Sequence, residues 1–291
     1  MKVSIIIPSF NQGRFLEACI DSILSQNIEG TEIFVFDGGS TDETVEILKS
    51  YGNKIFWTSQ PDRGQTDAIN RGLQKSTGDV LAYLNSDDIY FPGSFARVLK
   101  HFSENPKCMA LYGRCDHLKE NGEFMESYNT QQWDYNKLLR ECFICQPGTF
   151  WRRETMERYG LFDDRLNFCM DYEFWLRVGA SCAFHYIDDF VLAGSRLYED
   201  NKTLGQKVPV HKEIVSMVTP IHADAGFHWL RICAHHTFMK EIEQHKGTPL
   251  FTSIFSYSLA EAILSVGHEL SFPFQRKHFE ALQNMISPYL K

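Results

Sequence analysis

Val80-Leu81-Ala82-Tyr83-Leu84-Asn85-Ser86-Asp87-Asp88 is the stretch that decides how this chain is read. Its five apolar residues follow a Thr77-Gly78-Asp79 turn. A run so short, bounded by turn residues, reads as a buried strand of a parallel sheet. Open α/β sheets bind ligands beyond the carboxyl ends of their strands, which is where Asp87 and Asp88 fall. Two like charges packed there repel unless a cation or a donor network offsets them. A hard divalent ion with oxygen ligands would do so, and a phosphorylated substrate would bring one along. The plainer alternative is a solvated acidic turn ahead of the next helix.

The flanking segments alternate in the same way. Residues 3–7 form a strand closed by Pro8, and a helix follows with Phe15, Leu16, Cys19, Ile20, Ile23 and Leu24 on one face. Residues 32–36 form a second strand that ends at Asp37-Gly38-Gly39. Ser40-Thr41-Asp42-Glu43 reads as a capping box, with Ser40 as N-cap and Glu43 reaching back. A third strand covers 55–58, and the polar loop Gln60-Pro61-Asp62-Arg63-Gly64 leads into a helix through Asp67 and Leu73. This alternation implies βαβ units and a right-handed, mainly parallel sheet.

Beyond Asp88, a helix carries Phe95, Val98, Leu99 and Phe102 and stops before Pro106. Residues 109–112 read as a strand. Asn121-Gly122 marks a hairpin between the runs 114–119 and 123–128, so the second half of the sheet is mixed. Residues 146–150 read as extended. Two short helices follow, 153–159 with Gly160 as cap and 171–178 stopped by Gly179. After Gly205 the pattern is helical to the end, with breaks expected at Pro209, Pro220, 247–249 and Pro273. The expected organisation is a mixed, mainly parallel α/β domain over 1–204 and a C-terminal helical extension over 205–291.

The chain has 291 residues, 43% hydrophobic and 23% charged, with 29 basic against 37 acidic side chains and a net charge of −8. That balance argues against non-specific nucleic-acid binding but leaves room for a nucleotide ligand. Residues 205–291 carry 8 basic and 7 acidic residues, so the acidity belongs to 1–204, where a cation site would lie. The tail is not polybasic, and its electrostatic pull toward anionic lipid should be weak. Eight scattered cysteines and the lack of a signal peptide point to a reducing cytoplasm. Cys142-Phe143-Ile144-Cys145 has no second pair to complete a zinc site and reads as structural. No stretch reaches the ~18 apolar residues that span a bilayer.

Several segments together resemble family-2 glycosyltransferases of the GT-A (Rossmann-like) fold. They are Ser4-Ile-Ile-Ile-Pro-Ser-Phe-Asn11, Asp37-Gly-Gly-Ser-Thr-Asp42, Asp67-Ala-Ile-Asn-Arg-Gly72, Asn85-Ser-Asp-Asp88, Gln146-Pro-Gly-Thr-Phe150 and Met170-Asp-Tyr-Glu-Phe-Trp-Leu-Arg177. Motifs in order over residues 3–204 are more specific than any one alone. The resemblance implies an inverting transferase that moves a sugar from a nucleoside-diphosphate donor, UDP-linked, to an acceptor hydroxyl with Mn²⁺ or Mg²⁺. It implies a glycan or lipid-linked acceptor in surface polysaccharide or glycan assembly, at the cytoplasmic side and peripheral to the membrane if attached at all.

By the same resemblance, Pro8 and Phe10 line the nucleoside pocket, Asp37 accepts a hydrogen bond from the base, and Arg63 and Asp67 flank the nucleotide. The metal motif, usually Asp-x-Asp, is here Asn85-Ser86-Asp87. Asn85 can bond a ribose hydroxyl but brings no charge to an ion. Asp87 matches the retained metal ligand, with Asp88 second. Asp171 matches the base at a helix start, where an ionised carboxylate is favoured; Glu173 stays open as an alternative. Asp37 could equally begin a turn, and Phe174 and Trp175 read as core. Many relatives carry a histidine where this chain has Tyr198, leaving Arg196 and Lys202 as diphosphate contacts.

The tail histidines 222, 228, 235, 236 and 245 lack ligand spacing and read as structural. The apolar stretch 253–266, with Ile254, Phe255 and Tyr257, could pack on the first domain, a twin subunit or a membrane surface. Two other functions compete with a transferase. Loss of the first motif carboxylate and of the histidine would suit a catalytically silent nucleotide-sugar-binding subunit acting through a partner. A nucleotidyltransferase would want a Gly-rich basic loop after strand one, where 8–14 has one glycine and one base.

Overall fold

The computed structural model describes residues 1–199, 206–242 and 251–286, with side chains described outside 238–242 and 251–258. At its centre β1 (Val3–Ser9) is buried at every position. A strand covered on both faces needs such an unbroken apolar run. β1 pairs in parallel with β2 (Glu32–Asp37) on one side and β4 (Val80–Tyr83) on the other, and β3 (Phe56–Ser59) lies parallel outside β2. Past β4 the sheet turns mixed. β8 (Thr149–Arg152) runs antiparallel between β4 and β6 (Ala110–Leu118), and β6 pairs in parallel with β9 (His185–Arg196). Beyond β9 lies the two-residue β5 (Ile89–Tyr90), and β7 (Phe124–Ser127) pairs off β6 across the Asn121-Gly122 hairpin. Six of these nine strands share one direction, so the sheet is mixed and mostly parallel.

The crossovers are α1 (Gly13–Leu24), α2 (Thr44–Ser50), α3 (Gln65–Lys75) and α4 (Ser94–Glu104), followed by the short α5 (Tyr135–Leu138), α6 (Arg153–Tyr159) and α7 (Met170–Gly179). α1 buries Phe15, Leu16, Cys19, Ile20 and Ile23, the face its periodicity indicates. α3 lies so close on β1 that a Cβ at Gly72 would meet Ile6 Cγ2 at 2.5 Å. Phe174 and Trp175 are core, as expected, packed with Trp151 and Phe162. That aromatic cluster seats α7 on β8 and so places its first turn.

Three local readings are corrected. Ser40 and Glu43 make no capping box: α2 starts at Thr44 with no side-chain cap. Asp42 instead accepts from Thr44 N at 3.1 Å and Gly13 N at 2.9 Å. Glu43 lies on Gly13, where a Cβ would come within 2.6 Å of it. Residues 146–148 form a 3₁₀ turn rather than an extended segment, because Gln146 turns inward to donate to the Tyr83 carbonyl at 2.8 Å. Pro209 does not break its helix, α8 (Lys207–Val218), since it sits in the first turn, where a missing N–H costs no bond.

The chain folds as two compact units, Met1–Tyr198 and Glu199–Lys291. The second contains α8, α9 (Ala223–Ile242), α10 (Phe251–Glu269) and α11 (Arg276–Ile286), each packed on its neighbour in order. Pro220 and Pro273 fall between helices, and 247–249 lie outside the described residues. His222 Nδ1 accepts from Ala225 N at 3.2 Å at the start of α9. Among the described residues no helix is long and apolar enough to cross a membrane.

Glu32 ties the amino ends of the central strands together. Its carboxylate accepts from Lys2 Nζ at 2.7 Å, Ser4 Oγ at 2.6 Å, and Thr77 N and Oγ1 both at 2.8 Å. Burial works against the charge, but the Lys2 ammonium and the Ser4 and Thr77 donors prevail and hold its pKa at about 2, below the ordinary 4.5. A carboxyl depressed on folding adds stability above its unfolded pKa and loses it as pH falls through the folded value. Glu32→Gln is therefore expected to cost about 1–2 kcal/mol at pH 7, after discounting for solvent screening. In urea denaturation the gap between variant and wild type should close as pH falls from 4.5 toward 2.

Candidate active site

Leu84 ends β4 by donating its N–H to the Ile6 carbonyl at 2.9 Å, and the chain then folds into a turn closed by Asp88 N on Asn85 O at 3.0 Å. Within it, Ser86 and Asp88 are buried and Asp87 is half-buried. Arg196, expected to face a diphosphate, lies beneath this turn at 5% exposure. Its backbone N–H donates to Asp88 Oδ1 at 2.9 Å, and its guanidinium to the carbonyls of Asp87 and Glu120, both at 2.8 Å. The guanidinium also stacks 4.9 Å from the Phe15 ring centre. Arg196 thus positions the carboxylates from below.

Tyr198 donates its hydroxyl to Asp87 Oδ2 at 2.8 Å and accepts from Gln12 Nε2 at 3.0 Å. Burial, then the charge of Asp87, raises the pKa of Asp88 well above the carboxylate range. Burial raises Asp87 too, against the pull of the Tyr198 hydroxyl. Beside them Gln12 Oε1 is buried with no hydrogen-bond partner. A desolvated carboxylate pair next to an unpartnered oxygen acceptor is an environment that a hard cation relieves, and the all-oxygen donor set suits Mg²⁺ or Mn²⁺.

Asn85 faces the same space. Its Oδ1 accepts from Gln65 Nε2 at 2.7 Å, and its Nδ2 lies 3.4 Å from both Asp88 Oδ2 and Gln146 Oε1. The amide that replaces the motif's first carboxylate is therefore held by two glutamines. Gln12 and Gln65 are residues of this cluster that the sequence does not single out, because a lone glutamine has no spacing signal; Gln146 opens a quoted motif but carried no expected role.

Asp171 occupies the first turn of α7, half-buried, with Oδ1 accepting from Tyr172 N at 2.7 Å. Both Asp171 and Asp88 push the fully buried Tyr83 phenol toward higher pKa, after burial itself, which brings the two carboxylates within electrostatic reach of one ring. Glu173 is engaged elsewhere: Arg177 grips its two oxygens at 2.8 Å each. Arg63, 73% exposed, bridges Asp67 at 2.7 Å and Asp164 at 3.1 Å on the rim.

At the end of β2 the Asp37 carboxylate is committed to its own loop. Oδ2 accepts from Ser59 Oγ at 2.6 Å, Ser40 N at 2.9 Å and Gly39 N at 3.2 Å, and Oδ1 from the Ser40 hydroxyl. Pro8 is buried within β1, whereas Phe10 is 61% exposed. A Cβ at Gly38 would point at Asp62 Oδ2, 3.2 Å away, and at the Phe10 ring, 3.3 Å away. Gly38, Phe10 and Asp62 thus frame an open face that the sequence centres on Asp37. Lys202 lies outside the described residues, as do His245 and the side chains of Ile254, Phe255 and Tyr257.

The family model for glycosyl transferase family 2 matches residues 4–180. The chain belongs to that family. A "PGL/p-HBAD biosynthesis glycosyltransferase" of Mycobacterium bovis is 33% identical over 183 residues, which is 60% of this chain and 68% of the relative. An uncharacterized glycosyltransferase of Rickettsia typhi is 28% identical over 217 residues, 69% of this chain and 65% of that one. Among solved structures, S. aureus TarS with UDP-GlcNAc superposes with a TM-score of 0.65 at 16% identity, covering 99% of this chain and 88% of that one. The mannosyltransferase PcManGT of Pyrobaculum calidifontis, with GDP-Man and Mn²⁺, gives 0.58 at 15% identity, covering 99% and 80%. The fold is of the GT-A type and the chain is a glycosyltransferase.

Tyr198→Phe removes the hydroxyl that faces Asp87 and strands Gln12. Urea denaturation of the metal-free protein should show a loss of about 1.5–3 kcal/mol, the range for a hydrogen bond to a charged group. Added Mn²⁺ should restore more stability to the variant than to the wild type.

Proposed function

We propose that this glycosyltransferase inverts configuration at the anomeric carbon, moving a sugar from a UDP-linked donor to a hydroxyl on a glycan or lipid-linked acceptor in surface polysaccharide or glycan assembly. The observation that carries the reading is the desolvated, cation-seeking pair Asp87 and Asp88 at the end of β4, beside the buried and unpartnered Gln12 Oε1. UDP is supported by the UDP and UDP-GlcNAc in the TarS structures. The proposed setting is the cytoplasmic side, with the helical unit supplying any contact to a membrane surface or a second copy.

Asp87, with Asp88 behind it, would hold Mn²⁺ or Mg²⁺. When bound, such an ion supplies Lewis-acid stabilisation of the departing diphosphate. The protein does the rest. Asp171 accepts the proton of the acceptor hydroxyl as that oxygen bonds to the anomeric carbon. The bond from that carbon to the diphosphate oxygen breaks on the opposite face, and its electron pair leaves with the nucleoside diphosphate. Positive character on the sugar in between resembles that of glycoside hydrolysis. Asn85, fixed by Gln65 and Gln146, offers its amide to a ribose hydroxyl. The base lies on Phe10, with Asp62 as its hydrogen-bond acceptor while Asp37 holds the loop.

UDP release from a panel of UDP-sugars with Mn²⁺ or Mg²⁺ tests this directly. Asp171→Asn should lower kcat by about 10²- to 10⁴-fold, the range for a positioned base, with the donor Kd unchanged. Failure to bind any sugar nucleotide, or an unaltered kcat in that variant, would overturn the reading. For the base site, Asp62→Ala should weaken UDP binding about tenfold in calorimetry, the worth of one hydrogen bond. Asp37→Asn should instead register mainly as lost thermal stability.

A further inference from the structure

A second group of metal-ligating side chains lies away from the carboxylates. His101 stands in the last turn of α4, Cys108 in the loop between α4 and β6, and His185 opens β9. His101 Nε2 and His185 Nδ1 face each other at 2.9 Å, with the rings perpendicular at 88°. Cys108 Sγ completes a triangle in which all three ligand atoms lie within 4.8 Å of one another. Cys108 is 2% exposed and the two histidines are half-buried, so the triangle opens to solvent on the histidine side.

β9 separates this cluster from the active-site turn. His185 is its first residue and Arg196, which holds Asp87 and Asp88, its last. Bulges take up part of β9, whose twelve residues run alongside only Leu111–Leu118 of β6, so its two ends stand roughly 23 Å apart. The chemistry differs as well. Two imidazoles and a thiol are borderline-to-soft donors, matched to Zn²⁺ rather than to Mn²⁺ or Mg²⁺.

We propose that His101, Cys108 and His185 bind one Zn²⁺ through Nε2, Sγ and Nδ1, with solvent in the fourth position. In a tetrahedral zinc site, ligand atoms at ~2.1 Å (nitrogen) and ~2.3 Å (sulfur) from the ion stand roughly 3.3–3.6 Å apart. The facing nitrogens therefore need to part by only a few tenths of an ångström. Neutral imidazoles 2.9 Å apart share one proton between the facing nitrogens. On binding, that ring changes tautomer and carries its proton on the outer nitrogen. Cys108, whose S–H now points to the Ala110 carbonyl at 3.3 Å, gives its proton to solvent and ligates as thiolate. The ion would join the end of α4 and the loop that follows it to the first residue of β9, a strand far along the sequence. Its role is to staple the edge of the sheet opposite the catalytic turn.

Titration of the full-length, metal-stripped protein with Co²⁺ tests the assignment without any activity readout. One equivalent should bind with the visible bands of a four-coordinate ion and a near-ultraviolet thiolate-to-cobalt band, both displaced by Zn²⁺. Cys108→Ser should abolish the thiolate band, and His101→Gln, at a half-buried position, should weaken Co²⁺ at least about 100-fold. Asp87→Asn should leave both signals unchanged, which separates this site from the catalytic ion and lets it stand or fall alone. A thiolate band that persists in Cys108→Ser, or Co²⁺ binding lost in Asp87→Asn and untouched in His101→Gln, would overturn the proposal.

Discussion

Two adjacent carboxylates held out of water at the end of β4 are the constraint around which this molecule is arranged. Desolvation alone would drive both to take up protons. The protein counters with Arg196, whose backbone and guanidinium hold the turn from beneath, and with the Tyr198 hydroxyl on Asp87. Those partners are incomplete compensation, since both aspartates remain raised in pKa. The remaining deficit is what the proposed cation would relieve. Much of the architecture serves this turn: β9 exists in part to deliver Arg196 and Tyr198 to it.

The base side of the site depends on packing rather than on charge. Trp151, Phe162, Phe174 and Trp175 interlock with ring centres 4.7 to 6.4 Å apart, which fixes α7 against β8. Only from that seat does the first turn of α7 present Asp171 toward Tyr83. Arg177 removes Glu173 from contention by holding both its oxygens. Asp171, the proposed proton acceptor, takes its place from that packed helix start.

What could be read in the chain follows from periodicity. The apolar runs of β1, β2 and β4 and the one-sided helices α1, α3 and α4 were legible because burial on both faces of a sheet, or on one face of a helix, is written locally. β9 escaped because a bulge around Gly113 and Arg114 of its partner and the pair Asp188-Asp189 interrupt any alternation. Ser40 and Glu43 carried the right letters for a cap. Asp37, three residues upstream, took the Ser40 hydroxyl, and Gly13, brought up by the tertiary fold, lies against Glu43.

By itself the sequence determined the order of strands and helices as far as α4 and the strand end at which charge gathers, since each depends on neighbours a few residues away; the candidacy of Asp171 came from the resemblance to the family's motifs. Tertiary structure alone decided that Arg196 lies beneath the turn and holds it, that Ser59 reaches the Asp37 carboxylate, and that His101 and Cys108 meet His185. Those outcomes depend on the direction in which a side chain points once distant segments pack. Hydrogen bonds and desolvation act over a few ångströms, a distance that spacing along a chain does not encode.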